Sequence, residues 1–329
     1  MVKLACAKKR GVIVKILITG GAGFIGSHFA LKMLKEQHEV VIIDNLHPYY
    51  SVERKKQHLD VIKEAGDYQF YPTDLLNRDE TMRIVKKVSP DAIVHLAALP
   101  GVAYSILRPL EYIDYDVKAT VNVLEGAGQA GVKQVIFASS SSVYGMMKNT
   151  PFKEEMAAGK PISPYAASKY AAESFCHVYG HLYGMDVKIL RFFTVYGPWG
   201  RPDMAIANFI KKLKNREEIT IFGKGGTRDY TYVGDIVNGI GLALQKLQQS
   251  AIINVGSGRP ISMDQLLDEL KLYYPDMKIR REENRAGDVD STWADISLAR
   301  ELLGYEPETD FKKGIAETVA WAEQYENFL

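Results

Sequence analysis

The 329-residue chain carries 41 Lys and Arg against 40 Asp and Glu, a formal net charge of +1, and 47% of its residues are hydrophobic. These fractions are typical of globular proteins and exclude disordered, collagen-like and coiled-coil chains. Because the charge is balanced and no polybasic run is present, the sequence favours neither a nucleic acid nor an anionic membrane as a partner. At roughly 150 residues per domain, the length indicates about two domains.

Cys6 and Cys176 are the two cysteines of the chain. Two cysteines exclude a disulfide framework and a cysteine-based zinc site, and free thiols fit a reducing compartment, so no metal is expected. No apolar run reaches the roughly 18 residues that span a bilayer. The residues before Cys6 are too few for a signal-peptide core, which needs ~7–15 apolar residues. We therefore expect a cytoplasmic protein, with residues 1–13 as an N-terminal extension.

Short apolar strands alternate with amphipathic helices along the first part of the chain. Strands are predicted at residues 14–19, 39–43, 68–71, 92–96, 135–139 and 187–191, and helical periodicity covers residues 24–37, 81–88 and 115–130. Strands separated by helices form βαβ units. The sequence therefore predicts an α/β fold with a Rossmann-type, doubly wound parallel sheet.

The pattern changes after residue 191. A turn-rich stretch at residues 197–202 precedes a predicted helix at 205–215, residues 223–229 resemble a loop, and a charged loop covers residues 280–288. We expect a smaller, mixed α/β second domain built from residues 192–228 and 256–329. The first domain would then consist of residues 14–191 together with about 229–255.

A glycine-rich turn connects the first predicted strand to the first predicted helix. Gly20, Gly23 and Gly26 permit a tight turn and a close approach of the backbone, so that the helix N-terminus can face a pyrophosphate. Asp44 ends the next predicted strand, where a carboxylate can accept hydrogen bonds from a ribose diol and repels a 2′-phosphate. The combination predicts a dinucleotide site that prefers NAD to NADP.

A Tyr-x-x-x-Lys pair occurs three times, at Tyr144/Lys148, Tyr165/Lys169 and Tyr274/Lys278. A glycine follows Tyr144 and a proline follows Tyr274, which disfavours a helix at both places. Tyr165 follows Ser163-Pro164, a plausible helix start, and enters a strong helix-forming run. Its Lys partner would share one helix face, where an ammonium can stabilise a phenolate base. The alternative is a lysine that snorkels beside a packed tyrosine.

A run of four serines, residues 139–142, follows the predicted strand at 135–139. The carboxyl ends of strands in an open α/β sheet face the ligand crevice, where a hydroxyl can hydrogen-bond a substrate oxygen. The alternative is a serine run that only caps the strand and enters a turn. The downstream Tyr165/Lys169 pair favours the first interpretation.

Together these motifs resemble the extended short-chain dehydrogenases/reductases of the NAD-dependent epimerase/dehydratase family. The residues that carry the resemblance are Gly20 to Gly26, Asp44-Asn45, Asp74-Leu75, His95 to Ala98, Ser139 to Gly145, Tyr165/Lys169 and Arg228 to Tyr230. Two further stretches, residues 101–105 and 191–204, are similar to the branch that acts on UDP-glucuronate. The resemblance runs from residue 14 to the C-terminal region.

The resemblance implies a role for individual residues. The catalytic residues would be Ser140 as hydroxyl donor, Tyr165 as base and Lys169 as its electrostatic partner. NAD would be bound by Gly20, Gly23, Phe24, Ile25, Gly26, Asp44, Asn45, Asp74, Leu75, Leu96, Ala97, Ala98, Tyr165 and Lys169. The reaction would be inversion at C4 of a UDP-sugar through a 4-keto intermediate, with NAD regenerated in every cycle.

The resemblance also implies a substrate site and an assembly. Thr194, Arg228 and Arg285 would hold the UDP part with Asp288 on its ribose, and Arg201, Ser141, Ser142 and Tyr165 would meet the sugar. Guanidinium groups suit a diphosphate because they form bidentate, charge-assisted bonds, although exposed arginines are also common. A homodimer would form through helices that include residues 115–130 and 166–183.

Two positions depart from the family pattern. The family usually has Asn where this chain has Asp116, so amide donors are absent there. Arg285 in Arg285-Ala-Gly-Asp288 is more similar to the UDP-hexose epimerases than to the glucuronate branch, which often has Gln. UDP-glucose or UDP-N-acetylglucosamine therefore stays open as the substrate beside UDP-glucuronate.

Related reactions and a non-enzymatic role compete with epimerisation. A 4,6-dehydratase needs an Asp-Glu pair where this chain has Ser141 and Ser142, which disfavours dehydration. A UDP-glucuronate decarboxylase is closer, because the same 4-keto intermediate is a β-keto acid. An NAD-sensing regulatory protein on the same fold would lack the catalytic Tyr or Lys, and both are present here.

Overall fold

The structure is a computed structural model that describes residues 14–147, 149–223, 226–283 and 291–325. Its strands are β1 (Lys15–Thr19), β2 (Glu39–Ile43), β3 (Gln69–Tyr71), β4 (Ala92–His95), β5 (Gln134–Ser140), β6 (Asp186–Phe192), β7 (Thr194–Tyr196), β8 (Ile219–Phe222), β9 (Thr227–Tyr232), β10 (Ala251–Val255), β11 (Pro260–Ser262), β12 (Ile279–Glu282) and β13 (Ser291–Thr292).

The α-helices are α1 (Phe24–Lys35), α2 (Val52–Ala65), α3 (Arg78–Val88), α4 (Val102–Leu107), α5 (Pro109–Tyr112), α6 (Ala119–Gln129), α7 (Pro164–Tyr183), α8 (Ala205–Lys214), α9 (Val233–Lys246), α10 (Met263–Lys271), α11 (Ser297–Leu303) and α12 (Phe311–Gln324). A π-helical turn at Ile113–Lys118 joins α5 to α6, and short 3₁₀ helices lie at Ser141–Tyr144 and Glu154–Met156.

Seven parallel strands form the main sheet in the order β10-β6-β5-β4-β1-β2-β3. The main sheet is buried on both faces. On β1, for example, Ile16 and Ile18 pack into one hydrophobic core and Leu17 packs into the other. Because the strand order reverses between β1 and β4, the carboxyl ends of these two strands border a crevice. The predicted Rossmann-type parallel sheet is confirmed.

The remaining strands form two small sheets. β9 pairs with β7, β11 and β13, and β8 pairs with β12. These sheets and the helices α8, α10 and α12 make the smaller, mixed α/β part of the fold. Among the described residues, no helix is long and apolar enough to cross a membrane, and no cluster of His, Cys, Asp or Glu is arranged to hold a metal ion.

Three expectations for local structure were wrong. Residues 227–229 belong to β9 rather than to a loop, and residues 280–282 belong to β12. The helix expected at residues 115–130 is divided into the π-helical turn and α6. Short strands that pair with distant segments carry little local signal, since their stability depends on the partner strand.

Candidate functional site

A cavity of about 380 Å³ opens at the carboxyl ends of β1, β2, β4 and β5. It brings together most of the predicted site residues: Gly20, Gly23, Phe24, Ile25, Gly26, Asp44, Asn45, Asp74, Leu75, Leu96, Ala97, Ala98, Ser140, Ser141, Ser142, Tyr165, Lys169, Thr194 and Arg201. Residues from position 20 to position 201 thus share a single cavity. Its volume falls in the range of small-molecule and cofactor sites.

The glycine turn closes one wall of the cavity with bare backbone. A Cβ on Gly26 would lie 2.2 Å from the carbonyl oxygen of Gly20, and one on Gly20, whose φ is +71°, would lie 2.7 Å from the nitrogen of Ala97. Neither position accepts a side chain. Gly23 is the N-cap of α1, so the free N–H groups of that helix open toward the cavity, as an anion site requires.

Asp44 directly follows β2 and is buried against the glycine turn. Its carboxylate accepts hydrogen bonds from the backbone nitrogens of Ala22 (3.0 Å) and Leu46 (2.8 Å). Burial raises the pKa of Asp44, while the nearby Lys55 ammonium opposes that shift. Its oxygens border the cavity, where they can accept further hydrogen bonds from a ribose diol.

A polar rim built around Asp74 closes the far end of the cavity. The Asp74 carboxylate accepts hydrogen bonds from the Asn45 amide (3.0 Å) and from the Tyr115 hydroxyl (3.2 Å). The ring of His47 packs edge-on against Tyr115, with 4.8 Å between the ring centroids. Together with Leu75 this rim provides apolar and aromatic surface suited to a flat heterocycle.

Helix α7 carries Tyr165 and Lys169 into the cavity, as the sequence predicts. Ser163 caps the helix by accepting a hydrogen bond from the nitrogen of Ala166 (3.1 Å), and Pro164 begins its first turn. The Lys169 side chain is buried, and its ammonium donates to the carbonyl oxygen of Ala138 (3.1 Å). That bond fixes the ammonium against the end of β5, on the same helix face as Tyr165.

The serine run turns from β5 into a 3₁₀ helix, so that its hydroxyls face the cavity. Ser140 is the last residue of β5, and its oxygen accepts a hydrogen bond from the nitrogen of Ser142 (3.1 Å). The Ser140 and Ser142 hydroxyls lie 3.0 Å apart. The Ser139 hydroxyl donates to the buried Glu173 carboxylate and is therefore already engaged within the protein. Three neutral hydroxyls, at positions 140–142, are therefore available to a ligand beside Tyr165.

Arg201 enters the cavity from the turn-rich stretch after β7. Its guanidinium forms a bidentate pair with Asp203, with nitrogen–oxygen distances of 3.0 and 2.5 Å, and the Tyr49 hydroxyl donates to the same carboxylate (3.2 Å). Burial opposes ionisation of Asp203, but the guanidinium holds the pKa of this carboxyl below its usual value. Arg201 therefore faces the cavity with its charge balanced.

Three predicted substrate residues are not placed in the cavity. Arg228 lies in β9 and donates to the neighbouring carbonyl of Thr227 (3.0 Å), and it is not part of the cavity wall. Arg285 and Asp288 lie outside the described residues. Tyr144, which the sequence disfavours as the base, is buried, and its hydroxyl donates to the amide oxygen of Asn254 (2.6 Å). This hydrogen bond stabilises the protein interior.

Several cavity residues were missed by sequence reasoning. His47, Tyr49, Tyr50 and Lys55 follow Asp44 and line the cavity, and Tyr112 packs its ring against Tyr165 with 6.0 Å between centroids. The first four lie in the loop and helix that follow β2. Because loops at the carboxyl ends of parallel strands border the ligand crevice, their position after a predicted strand could have indicated them. Tyr112 carries no such signal, since its position depends on the packing of α4, α5 and the π-helical turn against α7.

Comparison with protein families gives one match that covers most of the chain. The profile of the NAD dependent epimerase/dehydratase family matches residues 16–256. A protein of Thermodesulfobacterium geofontis named UDP-glucuronate 4-epimerase is 41% identical over 311 residues, which cover 94% of this chain and 96% of that protein.

Two solved structures are similar over nearly their whole length. The UDP-glucuronic acid 4-epimerase of Bacillus cereus, in complex with UDP-glucuronic acid and NAD, has a TM-score of 0.88 and 33% identity and covers 94% of this chain and 99% of its own. The UDP-glucose 4-epimerase of Thermotoga maritima, with UDP-glucose, has a TM-score of 0.87 and 32% identity and covers 95% and 99%.

Proposed function

The chain belongs to the NAD dependent epimerase/dehydratase family, and we propose that it is a UDP-glucuronate 4-epimerase. It interconverts UDP-glucuronate and UDP-galacturonate by inverting C4 through a 4-keto intermediate. The observation that carries this proposal is the shared cavity, in which Tyr165, Lys169 and Ser140 meet a glycine-rich turn and a group of neutral hydroxyls beside Arg201. The name and the bound ligands of the most similar proteins support it.

The cavity fits NAD by three independent features. The glycine turn leaves space that a Cβ would fill, the N-terminus of α1 borders the cavity where it would hold a diphosphate, and Asp44 lies where it would meet the ribose. The Asp74 rim would receive the adenine and the small side chains of Ala97 and Ala98 the rest of the dinucleotide. When bound, NAD supplies the redox chemistry at C4 of the sugar.

Tyr165 acts as the base in this mechanism. Its phenolate takes the proton of the C4 hydroxyl as C4 is oxidised, and the same group returns the proton when C4 is reduced from the opposite face. The buried Lys169 ammonium stabilises the phenolate. Ser140 hydrogen-bonds the C4 oxygen, and its own oxygen is oriented by the nitrogen of Ser142.

The sugar must turn over between oxidation and reduction, so the site has to orient it without immobilising it. Ser141 and Ser142 hydrogen-bond the carboxylate and hold it near the plane of the C4 carbonyl. Neutral hydroxyls suit this role because they orient the carboxylate without an opposite charge, and each hydrogen bond to a charged group contributes only about 1.5–3 kcal/mol. Arg201 adds donors, but its pairing with Asp203 prevents a strong ionic grip on the carboxylate.

The UDP part binds beyond the sugar, toward the smaller sheets. Thr194 at the start of β7 lines the cavity, and we assign Arg228, Arg285 and Asp288 to the diphosphate and uridine ribose by family resemblance. We further propose that residues 14–191 with about 229–255 form the NAD-binding domain. Residues 192–228 with 256–329 then form the domain that binds the UDP-sugar.

The decisive assay compares UDP-glucuronate, UDP-glucose, UDP-N-acetylglucosamine and UDP-xylose without added NAD. We expect UDP-glucuronate to have the highest kcat/KM and UDP-galacturonate to be its product, with no cofactor consumed. A preference for UDP-glucose of tenfold or more, about 1.4 kcal/mol in transition-state binding, would contradict the substrate. A stoichiometric requirement for NAD⁺ would contradict epimerisation itself.

UDP-glucose 4-epimerase is the second candidate. Its support is the Thermotoga maritima structure, whose TM-score of 0.87 almost equals the 0.88 of the glucuronate enzyme. Hydroxyls at Ser141 and Ser142 also tolerate the CH₂OH group of a hexose. The guanidinium of Arg201 in the cavity favours the carboxylate substrate, and the same panel of UDP-sugars separates the two.

We also propose that the protein is a cytoplasmic homodimer. The support for the dimer is a set of exposed apolar side chains on elements that pack together: Leu107, Leu110 and Ile113 on α4, α5 and the π-helical turn, and Val178 and Leu182 on α7. Leu107 is 76% exposed and Leu110 is 73% exposed, and exposed apolar surface of this kind is typical of an interaction site. The support for the compartment is the buried free thiol of Cys176.

The dimer is tested by placing a charge in this apolar group. We expect Leu110→Glu to shift the protein from dimer to monomer in light scattering or sedimentation. Leu272→Glu is the matched control, because Leu272 is also 73% exposed but lies at the end of α10, away from the proposed interface. A wild-type protein that is monomeric at micromolar concentration would contradict the proposal.

A further inference from the structure

By the family resemblance Asn is expected at position 116, but this chain has Asp there, and its side chain is completely buried. It lies in the π-helical turn between α5 and α6, next to the cavity but not in its wall. A fully buried carboxyl is costly unless its oxygens are hydrogen-bonded and its charge is compensated. The contacts of this side chain therefore indicate what it does.

The two oxygens of Asp116 bind two different elements of the site. One accepts a hydrogen bond from the backbone nitrogen of Leu99 (2.7 Å), which follows β4 and lines the cavity. The other lies 2.9 Å from the hydroxyl of Ser168, which stands between Tyr165 and Lys169 on α7. Asp116 thus connects the segment that receives the dinucleotide to the helix that carries the proposed base.

The Ser168 hydroxyl has one proton and two neighbours that can accept it. Its oxygen lies 2.8 Å from the carbonyl oxygen of Tyr165 as well as 2.9 Å from Asp116. A protonated Asp116 donates to Ser168, which then donates to Tyr165, and so it reproduces the donor of an Asn amide. An ionised Asp116 competes with the Tyr165 carbonyl for the single proton.

A second chain of hydrogen bonds fixes the backbone of Asp116. The Thr120 hydroxyl donates to the Asp116 carbonyl oxygen, and its own oxygen lies 2.9 Å from Nε2 of His95. The other ring nitrogen of His95 lies 2.6 Å from the Thr19 hydroxyl, which accepts from the nitrogen of Ala97. Burial and Lys169 lower the pKa of His95 to about 3, so this histidine is neutral and brings no charge to Asp116.

Two titratable side chains interact electrostatically with the carboxyl, Lys169 on α7 and Tyr112 on α5. Two others are connected to Asp116 through one hydroxyl residue each: Tyr165 through Ser168, and neutral His95 through Thr120. Burial raises the pKa of Asp116 to about 6, and the Lys169 ammonium limits that rise. Lys169 is the cation of this group. Near neutral pH the carboxyl is therefore largely ionised, and its negative charge acts on the same ammonium that stabilises the Tyr165 phenolate.

We propose that Asp116 is a positioning residue for Tyr165 and Lys169, holding α7 in register with the end of β4 and, when ionised, opposing the effect of the Lys169 charge on the base. This inference rests on the proposed roles of Tyr165 and Lys169. Its consequence is that the enzyme reaches full activity at a higher pH than the same enzyme with Asn at this position.

The test is the pH profile of kcat/KM for UDP-glucuronate in wild type, Asp116→Asn, Asp116→Ala and Asp114→Asn. We expect Asp116→Asn to move the midpoint of the ascending limb to lower pH by about 0.5–1 unit, less than the 1–3 units of a charge in direct contact. Because an Asn amide can still donate to Ser168, kcat on the plateau should stay within about threefold. Asp116→Ala should lose about tenfold in plateau kcat. Asp114→Asn is the matched control, since this carboxylate is exposed on the same turn.

The possible outcomes are distinct. A profile of Asp116→Asn that superimposes on wild type, or an equal shift in Asp114→Asn, overturns the proposal. If wild type has no epimerase activity, the proposed function fails, and the inference is judged by near-ultraviolet absorbance titration of the purified protein. The absorbance change that Tyr165→Phe lacks is assigned to ionisation of Tyr165. The pH at its midpoint is then compared between wild type and Asp116→Asn. The same downward shift supports the inference, and an unchanged midpoint overturns it.

Discussion

The Tyr49 hydroxyl and the Asp203 carboxylate meet at 3.2 Å, although the two residues are 154 positions apart in the chain. The same carboxylate holds Arg201 through two hydrogen bonds. This contact joins the loop after β2, which serves the proposed NAD site, to the stretch that serves the proposed sugar site. The Asp203 carboxylate also balances the positive charge of the Arg201 guanidinium, which lines the cavity, and we expect this to limit how strongly a carboxylate substrate is held.

Asp203→Asn should therefore strengthen substrate binding and slow turnover. The Asn side chain still accepts one bond from Arg201, but the guanidinium charge is no longer balanced. We expect KM and kcat for UDP-glucuronate each to fall by about three- to tenfold, about 0.7–1.4 kcal/mol, because a tightly held carboxylate hinders rotation of the 4-keto sugar. Steady-state kinetics with UDP-glucuronate and UDP-glucose measure both constants.

The control for this prediction is Asp264→Asn, which breaks an exposed carboxylate–guanidinium pair with Arg281 (3.1 Å). Asp264 is 76% exposed, and its loss should leave both constants unchanged. A rise in KM for Asp203→Asn would show that the Arg201–Asp203 pair mainly holds Arg201 in the correct position, rather than weakening its attraction for the carboxylate. An equal effect on UDP-glucose would show that the carboxylate is not involved.

Tyr165→Phe should remove catalysis and leave the fold intact. Loss of a general base typically costs 10²–10⁴-fold in rate, and we expect a loss of kcat in about that range with NAD content and melting temperature unchanged. Tyr170→Phe is the matched control on the same helix. An NAD-sensing role would be favoured instead if Tyr165→Phe kept the biological activity of the protein in cells while epimerisation was lost.

The parallel sheet and the core of the site could be predicted because their signals are local. The glycine turn, Asp44 at a strand end and Tyr165 behind a Ser-Pro helix start are each readable within a few residues. Helix α7 begins at Pro164 with Ser163 as its cap, as predicted. The carboxyl ends of all strands in a parallel sheet lie along the same edge. Motifs that follow different strands therefore line one cavity.

The rest depended on contacts between distant segments. No spacing or composition in the sequence indicates the contact between Tyr49 and Asp203. The first residues of β9 were mistaken for a loop because the three strands that pair with β9 lie elsewhere in the chain. The departure at Asp116 was visible in the sequence. Its burial and its bond to Ser168 were not, since they depend on the π-helical turn that precedes α6.

Asp116→Asn should stabilise the protein in a pH-dependent way. The pKa of Asp116 is raised from 3.8 to about 6, so its contribution to stability is fully present below about pH 3.8 and is lost as the pH rises through about 6. The variant should therefore gain little over wild type at pH 4 and about 3 kcal/mol at pH 7.5. Urea unfolding at both pH values measures the difference. A gap that does not change with pH, or one shared by Asp114→Asn, would contradict this assignment.

The double variant Ser141→Ala, Ser142→Ala should convert a clean epimerase into one that leaks carbon dioxide. The 4-keto intermediate of UDP-glucuronate is a β-keto acid, and it decarboxylates when its carboxylate turns perpendicular to the C4 carbonyl, with C5 taking up a proton. The two hydroxyls line the cavity beside Ser140 and would keep the carboxylate near the carbonyl plane. Trapping of labelled carbon dioxide from carboxyl-labelled UDP-glucuronate measures the leak, which should rise at least about tenfold, the equivalent of about 1.4 kcal/mol of lost restraint. UDP-glucose turnover by the same variant is the internal control, because that sugar has no carboxylate and its rate should change by less than about threefold. Clean UDP-galacturonate formation by the double variant would show that Arg201 or the shape of the cavity, rather than the serines, orients the carboxylate.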